Sequence, residues 1–196
     1  MARPSLVYSA LAVVSQPLRL LYRMEARGIE NLPPAGGFVL AANHTSNFDP
    51  WPLGLPLYPK RFLRFMGKSE LFWWPLGPFI EAAGAFKVKR GEGDAVALAK
   101  AVELVRAGEV VVMFPEGTRR KKGITKKHQA RSHTGAARIA LEADVPLVPA
   151  AIKGTDRLAR LAKLRVVYGT PIEQSDDVKE TTERLMTEID RLLATL

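Results

Sequence analysis

His44 and Asp49 are separated by four residues in the run Ala-Asn-His-Thr-Ser-Asn-Phe-Asp-Pro at 42–50, directly after an apolar segment. An imidazole and a carboxylate this close in sequence can make a general base. Histidine has an unperturbed pKa near ~6.5, and a carboxylate bound to one ring nitrogen fixes the tautomer, leaving the other free to take a proton from a hydroxyl. The same two residues could also be two thirds of a Ser-His-Asp triad. No Gly-x-Ser-x-Gly elbow accompanies them, however, and Ser46 lies in the loop between base and carboxylate, an unusual place for a nucleophile. A mechanism without a covalent enzyme intermediate is the simpler reading.

A second cluster, Phe114-Pro-Glu-Gly-Thr-Arg119, follows a run of valines. Gly117 allows close backbone approach to a ligand, Thr118 offers a hydroxyl, and Arg119 offers a planar fork of donors suited to phosphate. The cluster is either a phosphate seat or a solvated strand-to-helix loop with an incidental arginine. Downstream, Arg119, Arg120, Lys121, Lys122, Lys126, Lys127 and Arg131 occur without an acid among them. Such a run is a solvated loop, a membrane contact worth about 1 kcal/mol per charge near an anionic leaflet, or a nucleic-acid patch. Against nucleic acid, no aromatic residue is interleaved and no helix-turn-helix, zinc-finger or RNA-recognition signature is present. Trp73 and Trp74 lie in the apolar stretch 71–80, which suits core packing, a membrane interface or an acyl groove.

Composition bounds these readings. With 196 residues, 47% hydrophobic and 25% charged, the chain suits one substantial core and is short for two ordinary domains. The absence of cysteine excludes disulfides, thiolate metal sites and a thiol nucleophile, and three histidines argue against a zinc site. No cofactor is expected. A net charge of +9 and a pI near 10 favour an anionic partner, whether a phosphate-bearing ligand, nucleic acid or an acidic membrane surface. Residues 5–18 carry no charge and are flanked by Arg3 and Arg19. They are short of the ~20 apolar residues of a membrane span, and Pro17 interrupts them, so an interfacial helix within 1–24 is expected, with a helix packed on the core or a signal peptide as rivals.

The elements that must position these residues alternate between strands and helices. Phe38–Ala42 is a continuous apolar run of the kind buried on both faces, with His44 just past its end. A strand is expected at 60–66, then a short helix from Ser69 through Trp74 that Pro75 and Pro78 break, then a half-exposed strand at 84–90 with Phe86 and Val88 facing inward. Asp94 can cap a helix over 95–107 that buries Val96, Ala99, Val102 and Val105, and Gly108 supplies its stop. Strand 110–114, helix 134–143, strand 146–152, a basic helical stretch at 156–164, strand 165–168 and an amphipathic helix at 176–193 complete the order. Such alternation argues an α/β fold: a single domain with a largely parallel mixed sheet flanked by helices. Ligands in these sheets bind beyond the carboxyl ends of strands, where both His44 and the 115–119 cluster would lie.

The chain resembles the lysophosphatidic acid acyltransferase family of glycerolipid acyltransferases over about residues 25–170. Asn43-His44-Thr-Ser-Asn-Phe-Asp49 is similar to the family's H-x-x-x-x-D block, Gly84-Ala-Phe-Lys-Val-Lys-Arg90 to its second block, Phe114–Arg119 to its third and Val145-Pro-Leu-Val-Pro149 to its fourth. The resemblance implies a glycerol-3-phosphate acyltransferase-like fold over 25–196. It also implies transfer of a fatty acyl group from an acyl thioester, on coenzyme A or an acyl carrier protein, to the free hydroxyl of lysophosphatidic acid, forming phosphatidic acid in phospholipid biosynthesis. Under it His44 is the base and Asp49 its orienter. Arg90, Glu116, Gly117, Thr118 and Arg119 bind the acceptor phosphate, Phe86 and Pro146 shape the acyl pocket, and Trp73 and Trp74 meet a membrane on its cytoplasmic face. The alternatives are another lysolipid or glycerol 3-phosphate as acceptor, a thioesterase, or a basic nucleic-acid- or lipid-binding module without catalysis. Two features depart from the family pattern: Arg120 stands where serine is common, and His133 where lysine is common. His133 is therefore either a phosphate ligand or a helix-cap residue.

Overall fold

The computed structural model describes residues 4–88, 94–116 and 134–196. Arg90, Gly117, Thr118, Arg119, His133 and the basic run 119–131 lie outside the described residues.

Two short helices, α1 (Leu6–Val14) and α2 (Gln16–Leu21), lead into β1 (Glu25–Arg27). The uncharged N-terminal stretch is therefore helical but broken at Ser15, with Pro17 in the first turn of α2, where a missing amide proton costs nothing. Next come β2 (Phe38–Ala42), α3 (Pro50–Gly54), β3 (Leu63–Lys68), α4 (Leu76–Ala82), β4 (Ala85–Val88), α5 (Asp94–Arg106) and β5 (Val110–Met113). The chain closes with α6 (Gly135–Ala143), β6 (Leu147–Lys153), a 3-10 segment at Thr155–Arg160, β7 (Arg165–Tyr168) and α7 (Val178–Ala194).

Among the described residues, seven strands form one sheet in the order β1-β7-β6-β2-β5-β3-β4. The five strands from β6 to β4 pair in parallel, and β7 reverses the direction against β6. The central strand β2 has all five residues fully buried. Its side chains alternate between two cores. Val39 and Ala41 pack with α5, α6 and α7 residues such as Ala101, Ile139 and Leu185, while Phe38, Leu40 and Ala42 pack with Leu53, Leu57 and Tyr168 on the other face. Burial on both faces is why β2 reads as a continuous apolar run instead of an alternating one.

Several expected details differ. Pro75 does not end a helix but precedes α4, and Pro78 sits in that helix's first turn, where amide protons have no intrahelical acceptor to lose. In α5 the buried residues are Ala97, Ala101, Val102, Leu104 and Val105, whereas Val96 is exposed. The buried face of α5 therefore keeps the expected Val102 and Val105 but takes in Ala97, Ala101 and Leu104, and leaves Val96 and Ala99 outside. The basic stretch after β6 forms a 3-10 segment with a kink at Arg157 in place of an α-helix.

Candidate active site

The parallel register brings the two predicted clusters together. Ala41 lies opposite Met113, so the residues after β2 and those after β5 leave adjacent strands at the same carboxyl edge. The rings of His44 and Phe114 stack at 4.2 Å between centroids with 22° between planes. Pro115 and Glu116 follow, both buried. β4 ends at the same edge, since β3 and β4 run parallel to β5.

His44 Nδ1 is 2.8 Å from Asp49 Oδ2. Asp49 is fully buried and immediately precedes α3, yet its side chain does not cap that helix. Instead it folds back into its own loop. Oδ2 accepts from the Thr45 amide at 2.7 Å and the Ser46 amide at 2.9 Å, while Oδ1 accepts from the Thr45 hydroxyl at 3.3 Å and from the Thr155 hydroxyl. Burial pushes the Asp49 carboxyl up, but hydrogen bonds from His44, the Ser46 amide, Thr155 and the Thr45 amide outweigh it and hold the pKa below the ordinary aspartate value. An ionised carboxylate only accepts, so Nδ1 carries the proton, and in the neutral imidazole the lone pair is then on Nε2. His44 is mostly covered, its side chain 18% exposed. Ser46 Oγ accepts from the Phe48 amide at 3.3 Å, which makes it a turn residue of this loop.

An apolar cavity of about 190 Å³ opens beside the loop. Asn47, Phe48 and Pro50 line one side, Tyr8 and Leu11 of α1 another, and Gly54, Leu63 and Phe65 contribute to the rest. Phe86 and Pro146, expected around an acyl pocket, do not line it. Phe86 is packed in the core under α5 and α6, and Pro146 lies at the opposite, amino end of the sheet, where its carbonyl accepts from the Val39 amide. Trp73 and Trp74 are 59% and 83% exposed. Leu6, Val13, Val14 and Leu20 of α1 and α2 are exposed as well, as are Phe48 and Phe79.

Comparison with known proteins bears on what this edge serves. The family model described as Acyltransferase matches residues 23–153. The chain belongs to the acyltransferase family. It is 34% identical over 152 residues to a 1-acyl-sn-glycerol-3-phosphate acyltransferase of Bacillus subtilis (strain 168), covering 75% of this chain and 72% of that one. A chloroplastic 1-acyl-sn-glycerol-3-phosphate acyltransferase of Brassica napus is 32% identical over 141 residues, 70% of this chain but 39% of the plant protein. In fold, the acyltransferase is similar to the crystal structure of the 1-acyl-sn-glycerophosphate acyltransferase from Thermotoga maritima. That likeness has a TM-score of 0.73 at 23% identity and covers 96% of this chain and 78% of that one.

Of the expected site residues of the acyltransferase, His44, Asp49 and Glu116 are gathered at one sheet edge. Sequence reasoning missed Thr155 and the stacking of Phe114. The only available signal for Thr155 was its place two residues beyond a buried strand, after a glycine.

Proposed function

We propose that this acyltransferase moves a fatty acyl group from an acyl thioester, carried on coenzyme A or an acyl carrier protein, to the free hydroxyl of lysophosphatidic acid, giving phosphatidic acid. One observation carries the reading: His44 Nδ1 lies 2.8 Å from a buried, ionised Asp49, which makes Nε2 the acceptor for a hydroxyl proton. As that proton moves to Nε2, the hydroxyl oxygen attacks the thioester carbonyl. The tetrahedral intermediate then collapses with loss of the thiolate, which takes the proton back from His44. No covalent acyl-enzyme forms.

Glu116, in the segment that follows β5, together with Gly117, Thr118, Arg119 and Arg90, is assigned to the acceptor phosphate. The apolar cavity along Phe48, Trp51 and Leu63 suits an acyl chain, since Asn47 and Phe48 of the loop between His44 and Asp49 line it and its wall is almost wholly hydrocarbon. Membrane association at the surface is part of the proposal. Leu6, Val13, Val14, Leu20, Trp73 and Trp74 present large apolar side chains to solvent, which suits a lipid surface, and a net charge of +9 favours an anionic leaflet. Among the described residues, no helix is long and apolar enough to cross a membrane.

Purified protein given a labelled acyl thioester and lysophosphatidic acid should yield the diacyl product, and His44→Ala should lower the rate at least ~10²-fold. Parallel reactions with glycerol 3-phosphate and other lysolipids identify the acceptor. Near-full activity in a folded His44→Ala protein would overturn the mechanism.

A further inference from the structure

The two oxygens of Asp49 are held in different ways. Every partner of Oδ2, the Thr45 and Ser46 amides and His44 Nδ1, comes from the loop that carries Asp49 itself. Oδ1 is reached from far away in sequence by the hydroxyl of Thr155, 106 residues downstream. Thr155 begins the 3-10 segment after β6 and is itself buried, 2% exposed. Its placement depends on Gly154, which adopts φ +102°, and a Cβ there would lie 2.3 Å from the Lys163 carbonyl oxygen. Only glycine makes that turn without displacing the following chain.

The hydroxyl protons can be followed. Thr155 gives its proton to Asp49 Oδ1, and Thr45 Oγ1, 2.8 Å from Thr155 Oγ1, then serves best as donor to Thr155. The Thr45 hydroxyl is farther from Oδ1 itself, at 3.3 Å. A short relay therefore runs from Thr45 through Thr155 to the carboxylate. Without the Thr155 hydroxyl, a fully buried carboxylate oxygen keeps only a long bond from its own loop. The carboxylate could then rotate about its last side-chain bond and carry the His44 ring with it.

We infer that Thr155 is a positioning residue for the acyl transfer: by tying Asp49 Oδ1 to the end of β6, it fixes the carboxylate plane and thereby the direction in which His44 Nε2 points. This rests on the assignment of His44 as base. Thr155 is 2% exposed and bonded to the buried carboxylate, out of reach of a ligand from solvent, so its effect should fall on turnover and not on substrate binding.

Three variants test it. Thr155→Ser and Thr155→Ala both lack the methyl and differ from each other only in the hydroxyl, and Thr155→Val keeps the shape while replacing the hydroxyl by a methyl. Expected is a kcat in Thr155→Ala and Thr155→Val roughly 10- to 100-fold below wild type, the scale of a small misplacement of a reacting group. KM for both substrates should stay within about threefold, and Thr155→Ser should restore turnover. In nitrogen-15 NMR the bonded Nδ1 proton of His44, assigned by its loss in His44→Ala, should persist in Thr155→Ser and broaden or vanish in Thr155→Ala. If Thr155→Val does not fold, the Ser and Ala pair decides. Equal kcat and an unchanged His44 signal in that pair would overturn the inference while His44→Ala remained inactive. An active His44→Ala would instead overturn the base assignment beneath it.

Discussion

Asn43 and Ile152 are joined by two hydrogen bonds: Asn43 Nδ2 donates to the Ile152 carbonyl at 3.0 Å, and the Ile152 amide donates to Asn43 Oδ1 at 2.8 Å. The side-chain amide thus stands in for a strand peptide and carries the pairing of β2 with β6 one step past the end of β2. His44 is the next residue, so the base begins where this ladder ends. Asn43 is itself buried, 1% exposed.

Replacing Asn43 by Ala strands a buried amide and a buried carbonyl at Ile152. Each costs about 1–3 kcal/mol when left without a partner, so a loss of roughly 2–6 kcal/mol is expected in urea denaturation. Asn43→Asp should be at least as damaging, because an ionised carboxylate would face the Ile152 carbonyl with an acceptor where a donor is required. Wild-type stability in both variants would show that the pairing is dispensable.

Asp49→Asn separates charge from shape. The depressed pKa of Asp49 means the folded chain holds the ionised form more tightly than the unfolded chain. Its contribution to stability is therefore complete above the unfolded value of about 3.9 and is lost as pH falls through the lower folded value. The stability difference between wild type and Asp49→Asn should accordingly shrink on acidification below about pH 4, read by denaturant titration at a series of pH values. At neutral pH the asparagine can present its NH2 to Nδ1, which selects the tautomer with the proton on Nε2 and removes the base. A fall in kcat of at least ~10²-fold is expected.

Much of this site was legible because its parts follow strands. Phe38–Ala42 and Val110–Met113 are short apolar runs whose ends had to share an edge if they paired in parallel, and they do. What stayed hidden depended on distance or on weak patterning. β1 is three residues long, with charged residues at both ends, and owes its existence to pairing with β7 and not to any periodicity of its own. Pro75 and Pro78 look like breakers because proline is hostile to helix interiors, yet at a helix start the same missing amide is harmless. Pro146 lies at the amino end of β6, away from His44 at the carboxyl edge. Contact between Thr155 and Asp49 joins residues 106 positions apart, so beyond the glycine before Thr155 nothing near either residue points to it.

The ring of Phe114 offers a third test. It stacks on His44 and is half-buried, so it limits the tilt of the imidazole from one face. Phe114→Ala should lose roughly 0.5–1.5 kcal/mol of ring contact beyond the area it uncovers, and free the imidazole to tilt. Turnover should drop about 10-fold, with Phe114→Tyr retaining most of it, as steady-state kinetics would register.

Gly54 forms part of the cavity wall, and a Cβ there would come within 3.2 Å of both the Leu63 side chain and the Tyr8 hydroxyl. If the cavity receives the acyl chain, a large side chain at this position must shorten it. Gly54→Leu should lower kcat/KM for long acyl thioesters relative to short ones by roughly 10-fold or more, since each excluded methylene is worth about 0.8 kcal/mol of burial. Competition between two chain lengths in one reaction, resolved by mass spectrometry of the products, gives the ratio directly. An unchanged ratio would place the acyl chain elsewhere.

Membrane contact can be tested apart from chemistry. Trp73 and Trp74 lie just before α4, and α1 is tied to the end of that helix by the Ser5 hydroxyl, which donates to the Ala82 carbonyl. The exposed apolar residues of α1 and of the tryptophan segment therefore belong to neighbouring elements and can meet one surface together. Changing Trp73 and Trp74 to Ser should weaken sedimentation with anionic vesicles and slow turnover of vesicle-borne acceptor. Activity toward a short-chain acceptor dissolved below its aggregation threshold should stay near wild type, because both tryptophans are exposed and neither lines the cavity. Equal loss toward both acceptors would mean that the two tryptophans support the fold or the site instead of a lipid surface.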